Sequence, residues 1–461
     1  MNTWTKATPR FMRTGWFIAL LCLFIILLSA SAGGLVPWLM RYVAGKEMFI
    51  LLAPLGFWLV LLLGMVKFDF MVLVAFSLFG IVRIEPAPVD VLFISLLLLG
   101  LLTGKLSLKA LKGSPLIHLT LWFFLVANFV SLIAARALVD SLRYLMITVY
   151  LIVFTYFLKM YITSFRAVRN VMIGYLVSAI INAFLIALGY LGIAPFTELF
   201  LEFGNRALGA FKDPNVFGPF LIPVIVLLID EIFVPRIFPR FHLAKIVGVT
   251  VLTAAVFLSF SRAAWGNLAL TLFIYFVLNI KEVSRKEFAG FVWKGVGFLL
   301  LAVVGSQVYQ PLLNWMGLGR FLEWRVSSHS YDVERFARQK EGIDAGLTHL
   351  FGVGPGMWSS AHSLYVRTFA EHGVFGFFAL FLCLVFLSIG ALSRALEETD
   401  KQYGLSAKVV VACLIGHLMN SIVIDAVHWR HFWLILGLAW VVATVDTPAS
   451  HCYLADDWGT A

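Results

Sequence analysis

The segment Gly352–Gly376, GVGPGMWSSAHSLYVRTFAEHGVFG, leads directly into the apolar run FFALFLCLVFLSIGAL at residues 377–392. With its apolar flanks, this run approaches the roughly 20 residues that a membrane-spanning helix needs. Four ionisable side chains come immediately before it: His362, Arg367, Glu371 and His372. Because ionisable groups are costly at membrane depth, those found there are typically paired or functional. The segment therefore predicts a membrane helix that begins at a functional surface.

The composition is typical of an integral membrane protein. Of 461 residues, 61% are hydrophobic and 13% are charged, whereas soluble domains have about 45–50% apolar and about 25% charged residues. Apolar segments recur along the whole chain, and a secretory signal would supply only one. The net charge of +10 is consistent with basic loops on one side of a membrane, and no segment resembles a nucleic-acid-binding module.

The apolar windows predict an all-α, polytopic membrane protein with about 12–14 transmembrane helices. We expect one integral membrane domain over residues 1–461. The region Phe70–Leu102 fits either two short spans or one hairpin, which leaves the count open. The clearest predicted spans are Trp16–Leu35, Phe49–Val66, Pro115–Ala134, Leu142–Tyr161, Val171–Ile193, Val216–Val234, Ile246–Phe260, Ala264–Ile280, Phe291–Val308, Val374–Leu392, Val409–Ile424 and Phe432–Val445.

Basic residues cluster in alternate loops, which predicts the orientation of the chain. By the positive-inside rule these loops and the N-terminus face the cytoplasm. Three of the intervening segments then face outward: residues 194–212, the turn at Ser261–Arg262, and a long periplasmic loop at residues 309–363. We expect this loop to contain short helices.

The first outward segment is GNRALGAFKDPNVFGPF, Gly204–Phe220. Asp213 is a good helix N-cap and Pro214 suits a first helical turn, so a helix is expected to start there. Snorkelling explains Lys212 best. For Arg206 the alternatives of snorkelling and function stay open, because an outward arginine runs against the usual charge bias.

The second outward segment is FLSFSRAAWGN, Phe257–Asn267. Arg262 stands between two apolar runs with almost no loop around it, so it is expected at the outer membrane boundary. Ionisable groups at that depth are usually functional or paired, which favours a functional role over snorkelling.

The third outward segment contains YDVERFARQKEGIDAGL, residues 331–347, whose spacing predicts an amphipathic helix. The sequence FGVGPG then ends this helix and allows a close approach of the backbone, for example to a ligand. His362 is expected in the first turn of the next helix. One face of the predicted amphipathic helix carries Val333, Phe336, Ala337, Ile343 and Leu347, and the other carries Glu334, Arg335 and Arg338.

In this order and on one side, the segments NRALGAFKDPNVFG, SFSRAAWG, FGVGPG and AHSLYVRTFAEHGVFG resemble the O-antigen ligase and O-antigen polymerase superfamily. The resemblance covers roughly Gly204–Gly376, and the amino-terminal spans match only as hydrophobic helices. The family often has Asn after the histidine, where this chain has Ser363. That departure weakens assignment to a subfamily more than it weakens the general chemistry.

The resemblance implies transfer of a glycan from undecaprenyl pyrophosphate to an acceptor hydroxyl on the periplasmic face of the bacterial inner membrane. Arg206 and Arg262 would stabilise the charge of the leaving pyrophosphate, and His362 would orient or deprotonate the acceptor. Direct attack would invert the anomeric centre. The residues expected to contact substrate are Arg335, Arg338, Tyr365 and Glu371. A solvated helix face nevertheless explains the two arginines better than binding of a sugar phosphate, and Glu371 suits a structural role as well as a catalytic one.

No cofactor and no metal are expected. The four cysteines, Cys22, Cys383, Cys413 and Cys452, lack the spacing of a zinc site or a disulfide framework. No outward Asp-x-Asp pair is present, so the transferase is expected to be metal-independent.

Alternatives remain for the acceptor and for the function class. A ligase that transfers to lipid A–core is favoured slightly over an O-antigen or exopolysaccharide polymerase, and protein O-glycosylation differs only in its acceptor. A lipid-linked glycan transporter or flippase is less consistent, because transporters place polar residues near the bilayer midplane. A further outward cluster is Asp425, His428, Arg430 and His431. Trp429 and Trp433, beside it, are interpreted as part of an aromatic interface belt.

Overall fold

The computed structural model describes Gly64 and residues 67–83, 87–193, 196–202, 206–280, 330–397 and 401–444. Several predicted features lie outside these residues: the spans Trp16–Leu35 and Phe291–Val308, nearly all of Phe49–Val66, and residues 309–329 of the long loop.

The described residues form a helical bundle with two short antiparallel hairpins, so the all-α prediction is confirmed there. The hairpins are β1 (Leu201–Glu202) with β2 (Arg206–Ala207) and β3 (Lys401–Gln402) with β4 (Leu405–Ser406). The α-helices are α1 (Phe68–Ser77), α2 (Pro88–Leu102), α3 (Pro115–Ser131), α4 (Leu138–Tyr161), α5 (Phe165–Tyr190), α6 (Phe196–Phe200), α7 (Pro214–Phe233), α8 (His242–Leu258), α9 (Arg262–Leu278), α10 (Ser330–Thr348), α11 (Leu364–Leu396), α12 (Ala407–Asn420) and α13 (Arg430–Ala443).

Within the described residues, five helices are long and apolar enough to cross a membrane. They are α3 with its 3-10 extension to Ala134, α4, α5, α7 and α11. Other apolar helices, such as α8, α9, α12 and α13, have only 10–17 residues. The ambiguous region Phe70–Leu102 falls on two short helices, α1 and α2. The predicted total of about 12–14 spans stays a prediction.

Hydrogen bonds between distant segments join the helix ends at both ends of the bundle. Near His362, Val82 N donates to Ala210 O at 3.1 Å and Leu364 N donates to Ser421 O at 3.0 Å. At the opposite end, Ser107 N donates to Met160 O at 3.0 Å and Lys159 Nζ donates to Thr444 Oγ1 at 2.6 Å. We call the first of these the His362 end.

Helix α7 lies in the middle of the bundle, with 83% of its most apolar stretch buried. It contains Pro219 and Pro223. Because Pro223 has no N–H, it cannot bond the carbonyl of Pro219 four residues earlier. His417 Nε2 from α12 lies 3.2 Å from that carbonyl oxygen. Helix α7 is therefore held against α12, and its first turns belong to the first outward segment, at the His362 end.

Candidate functional site

Arg206 ties three elements together at the His362 end. Its Nε donates to the carbonyl oxygen of Ser259 at 3.1 Å, beyond the end of α8. Its two terminal nitrogens donate to Glu202 Oε2 at 2.9 Å and to Asn215 Oδ1 at 3.3 Å. The arginine side chain is only 12% exposed, whereas that of Glu202 is 41% exposed. The guanidinium is therefore held in place, with a half-exposed carboxylate beside it.

The first turn of α7 has the predicted capping arrangement. The Asp213 side chain accepts a hydrogen bond from Asn215 N at 2.8 Å, and Pro214 is the first helical residue. A helix N-terminus carries unpaired N–H groups and a partial positive charge. Asp213 thus begins α7 directly beside the residue that Arg206 contacts.

The turn around Arg262 is as tight as the sequence predicts. Phe260 adopts φ +49°, and the Ser261 side chain caps α9 by accepting from Ala264 N at 3.3 Å. Arg262 is the first residue of α9 and is half-buried. Since Arg206 bonds to Ser259 in this same turn, the structure brings the two predicted arginine segments together.

The glycine-rich turn packs on a kink in α11. Gly373 has φ +65° and ψ −167°, and Val374 N beyond it donates to Leu350 O at 3.2 Å. A Cβ on Gly352 would lie 2.2 Å from the carbonyl oxygen of Glu371. The close backbone approach that the glycines allow is therefore made to the protein's own helix.

The charges before the apolar run form a buried network. Arg367 Nε donates to Glu371 Oε1 at 2.9 Å, another guanidinium nitrogen donates to Asp425, and the group lies 5.2 Å from the centre of the Tyr144 ring. Trp358 N also donates to Glu371 Oε1, at 2.9 Å. With Glu371 only 1% exposed, its carboxylate links the helix to the turn, and its predicted contact with substrate stays a prediction.

His362 lies before α11, so its predicted place in the first helical turn is wrong. The helix begins at Leu364, because the Ser363 side chain supplies the cap by accepting from Val366 N at 3.5 Å. His362 itself adopts the left-handed conformation, φ +48° and ψ +34°, and is exposed. This position turns the imidazole out of the helix and towards solvent-accessible space.

Charged groups on other elements act electrostatically on His362. Partial burial and the Arg335 guanidinium on α10 lower the pKa of His362 below its usual range, and the carboxylates of Asp425 and Asp213 act in the opposite sense. Asp213 belongs to the segment of Arg206, and Asp425 is the partner of Arg367. All three outward segments thus contribute polar groups at one end of the bundle.

The remaining predicted substrate contacts have protein partners. Arg338 is exposed and pairs with Glu341 at 3.1 Å. The Tyr365 hydroxyl donates to the carbonyl oxygen of Leu418 at 2.9 Å. Of the two predicted arginines on α10, Arg335 is the one whose charge acts on His362, while Arg338 is exposed.

The predicted cluster Asp425, His428, Arg430 and His431, after α12, mostly makes contacts within the protein. Arg430 makes two hydrogen bonds to the Asp90 carboxylate, at 2.7 and 2.5 Å, and His428 Nε2 lies 3.2 Å from Thr148 Oγ1. Trp429 and Trp433 are 7% and 0% exposed. The interpretation of these two tryptophans as an interface belt is wrong, because they pack inside the protein.

Sequence reasoning did not identify the Arg367–Asp425 and Asp90–Arg430 pairs. A signal was present in each case, because a charged residue stands next to an apolar run. The partner, however, lies 58 or 340 residues away, and no local pattern connects the two.

No group of three or more His, Cys, Asp or Glu side chains within the described ranges could hold a metal ion. In comparisons with known proteins, no family model matches the chain, and no curated protein is similar enough in sequence to count as a relative.

Proposed function

We propose that this protein is a membrane-embedded glycosyltransferase of the O-antigen ligase and polymerase type. It would move a glycan from undecaprenyl pyrophosphate to an acceptor hydroxyl at the periplasmic face of a bacterial inner membrane. The observation that carries the proposal is the meeting of Arg206, the Arg262 turn and His362 at one end of the bundle. A pyrophosphate-binding group and a candidate base are then available at the same end of the apolar helices.

The chemistry follows from the groups present. The acceptor oxygen attacks the anomeric carbon, the bond from that carbon to the phosphate oxygen breaks, and the electron pair leaves with pyrophosphate. The planar, permanently charged guanidinium groups of Arg206 and Arg262 suit phosphate oxygens as that charge grows. His362 removes the proton from the acceptor hydroxyl. Partial burial and Arg335 lower the pKa of His362, which favours the neutral imidazole, the form that accepts a proton.

Arg206 offers a specific test of this arrangement. Lysine keeps the charge but loses the fork that can contact two phosphate oxygens, so Arg206→Lys is expected to impair transfer strongly. The matched control is Arg394→Lys, since Arg394 pairs with Glu397 at the opposite end of the bundle. The measurement is transfer from a synthetic polyprenyl-pyrophosphate donor by purified protein. Equal activity of the two variants would contradict a role for Arg206 in pyrophosphate binding.

The ligase and the polymerase differ in the acceptor that receives the glycan, and we favour the ligase. Deletion of the gene, followed by gel analysis of surface polysaccharide, separates them. Loss of long chains from lipid A–core indicates a ligase, and loss of the ladder beyond one repeat indicates a polymerase. An unchanged polysaccharide pattern would contradict both. The metal-independence of the reaction is tested separately by chelation of the purified protein.

A further inference from the structure

Helix α10 packs against α11 through two glycines. Gly342 and Gly346 are the buried residues among its described side-chain positions. A Cβ would lie 2.6 Å from Val366 Cγ1 at Gly342 and 2.3 Å from Phe369 Cδ1 at Gly346. The backbone of α10 therefore packs directly against side chains of α11, and the contact leaves the larger side chains of α10 on its other faces.

The apolar stripe of α10 points away from that contact. Val333, Phe336, Ile343 and Leu347 are 71%, 59%, 44% and 70% exposed. At 3.6 residues per turn, they lie within an arc of about 80° whose centre is about 120° around the helix from the glycine face, and the exposed Lys340 lies in the same arc. The amphipathic helix predicted from the sequence is present, but its apolar face is exposed among the described residues.

This stripe continues into an apolar surface of the longest candidate span. Leu350 and Phe351 follow α10 and are each 53% exposed. The Phe351 ring stacks on that of Phe375 in α11, with ring centroids 5.6 Å apart. Phe375 and Phe378 are 56% and 52% exposed on that helix. If α11 crosses a bilayer, these exposed phenylalanines face lipid, and α10 continues the same surface.

We propose that α10 is an interfacial helix whose apolar stripe lies in the headgroup and upper acyl region of the bilayer that α11 crosses. An apolar stripe opposite a charged face is what such helices require, and Glu334, Arg338 and Glu341 are exposed on the other side. The occupant of the stripe is lipid, because the stripe is continuous with the surface of a candidate membrane span. The bilayer then helps to hold Arg335 beside His362.

The test uses the full-length protein in lipid nanodiscs and does not depend on enzyme activity. An environment-sensitive fluorophore is attached at Leu347→Cys, with Val333→Cys as a second stripe position and Glu341→Cys as the control on the charged face. The parent protein, labelled in parallel, gives the background from its own cysteines. Quenching is measured with doxyl lipids labelled near the headgroup or near the chain end, and with aqueous iodide.

The shallow doxyl lipid is expected to quench both stripe probes several-fold more than it quenches the Glu341 probe. Iodide is expected to quench the Glu341 probe several-fold more than it quenches the stripe probes. Deep doxyl groups should act weakly, since interfacial helices enter by roughly 5–10 Å. Iodide quenching of the stripe probes equal to that of the control would overturn the proposal. Protection from both quenchers would also overturn it and would indicate that protein, such as a second copy, covers the stripe.

Discussion

The imidazole of His362 combines exposure with a charged environment, which is what a general base needs. His362→Gln keeps a hydrogen-bonding side chain but removes the proton acceptor. We expect transfer to fall by about 10²–10⁴-fold, the usual contribution of a positioned general base, while donor binding persists because the arginines remain. The measurement is transfer from a synthetic polyprenyl-pyrophosphate donor, with donor binding assayed separately.

The control for that variant is His349→Gln. His349 is exposed at the end of α10, and its Nδ1 lies 3.1 Å from the carbonyl oxygen of Ala345. His372 is a poorer control, because it is only 4% exposed and packs edge-on against the Phe124 ring. If His362→Gln kept most of the activity, His362 would only orient the acceptor.

Arg335 and Arg338 make a matched pair for testing the electrostatics at His362. Arg335 lowers the pKa of His362, so Arg335→Gln should raise that pKa. A base acts in its neutral form, and activity is lost as pH falls through its pKa. The acidic limb of the pH profile of kcat/KM should therefore move to higher pH in Arg335→Gln and stay in place in Arg338→Gln. An unchanged limb in both variants would mean that His362 does not set it.

The kink in α11 depends on the backbone conformation of a single residue, Gly373. Gly373 occupies a backbone region that is essentially restricted to glycine, and a Cβ there would lie 2.1 Å from the carbonyl oxygen of Leu350. We expect Gly373→Ala to destabilise the protein by at least about 1–3 kcal/mol. The measurement is the thermal unfolding midpoint in detergent.

A second glycine gives the comparison. Gly266 lies in α9, and a Cβ there would meet nothing within 4 Å. Gly266→Ala should leave the midpoint unchanged or raise it, because alanine is the better helix former by about 1 kcal/mol. Equal midpoints for the two alanine variants would show that the kink carries no strain.

Local signals predict the local parts of these elements. The Asp213-Pro214 start of α7 and the helix after residue 330 follow from capping and periodicity. The kink at Gly373 does not, since a glycine inside an apolar run gives no sign of its φ and ψ. The kink falls immediately before Val374, where the membrane span is predicted to begin, and the helix that contains both starts at Leu364.

Across the whole bundle, the polar groups of the candidate site depend on contacts that no sequence pattern specifies. Charge and hydropathy place the three outward segments on one side of the membrane, and that orientation stays a prediction. Arg206 joins the first two segments through its hydrogen bond to Ser259 O, and Arg367 of the third segment pairs with Asp425, 58 residues away. Contacts between residues far apart in the chain thus connect these helix ends.

The pair between Asp90 on α2 and Arg430 on α13 is the clearest case, because it connects residues 340 positions apart. The two side chains are 18% and 22% exposed. Removing one partner leaves a poorly solvated charge, so Asp90→Leu and Arg430→Met should each destabilise the fold by about 1–3 kcal/mol. The double variant removes both charges and should be less destabilised than the sum of the single variants.

Denaturation in detergent measures all three variants, and the surface pair Arg394–Glu397, 28% and 47% exposed, provides the reference. Glu397→Gln should change stability by less than about 1 kcal/mol, as exposed ion pairs usually do. Additive effects of Asp90→Leu and Arg430→Met would contradict a direct coupling of α2 to α13. A coupling energy between Asp90 and Arg430 larger than the effect of Glu397→Gln would show that this ion pair joins α2 to α13 directly.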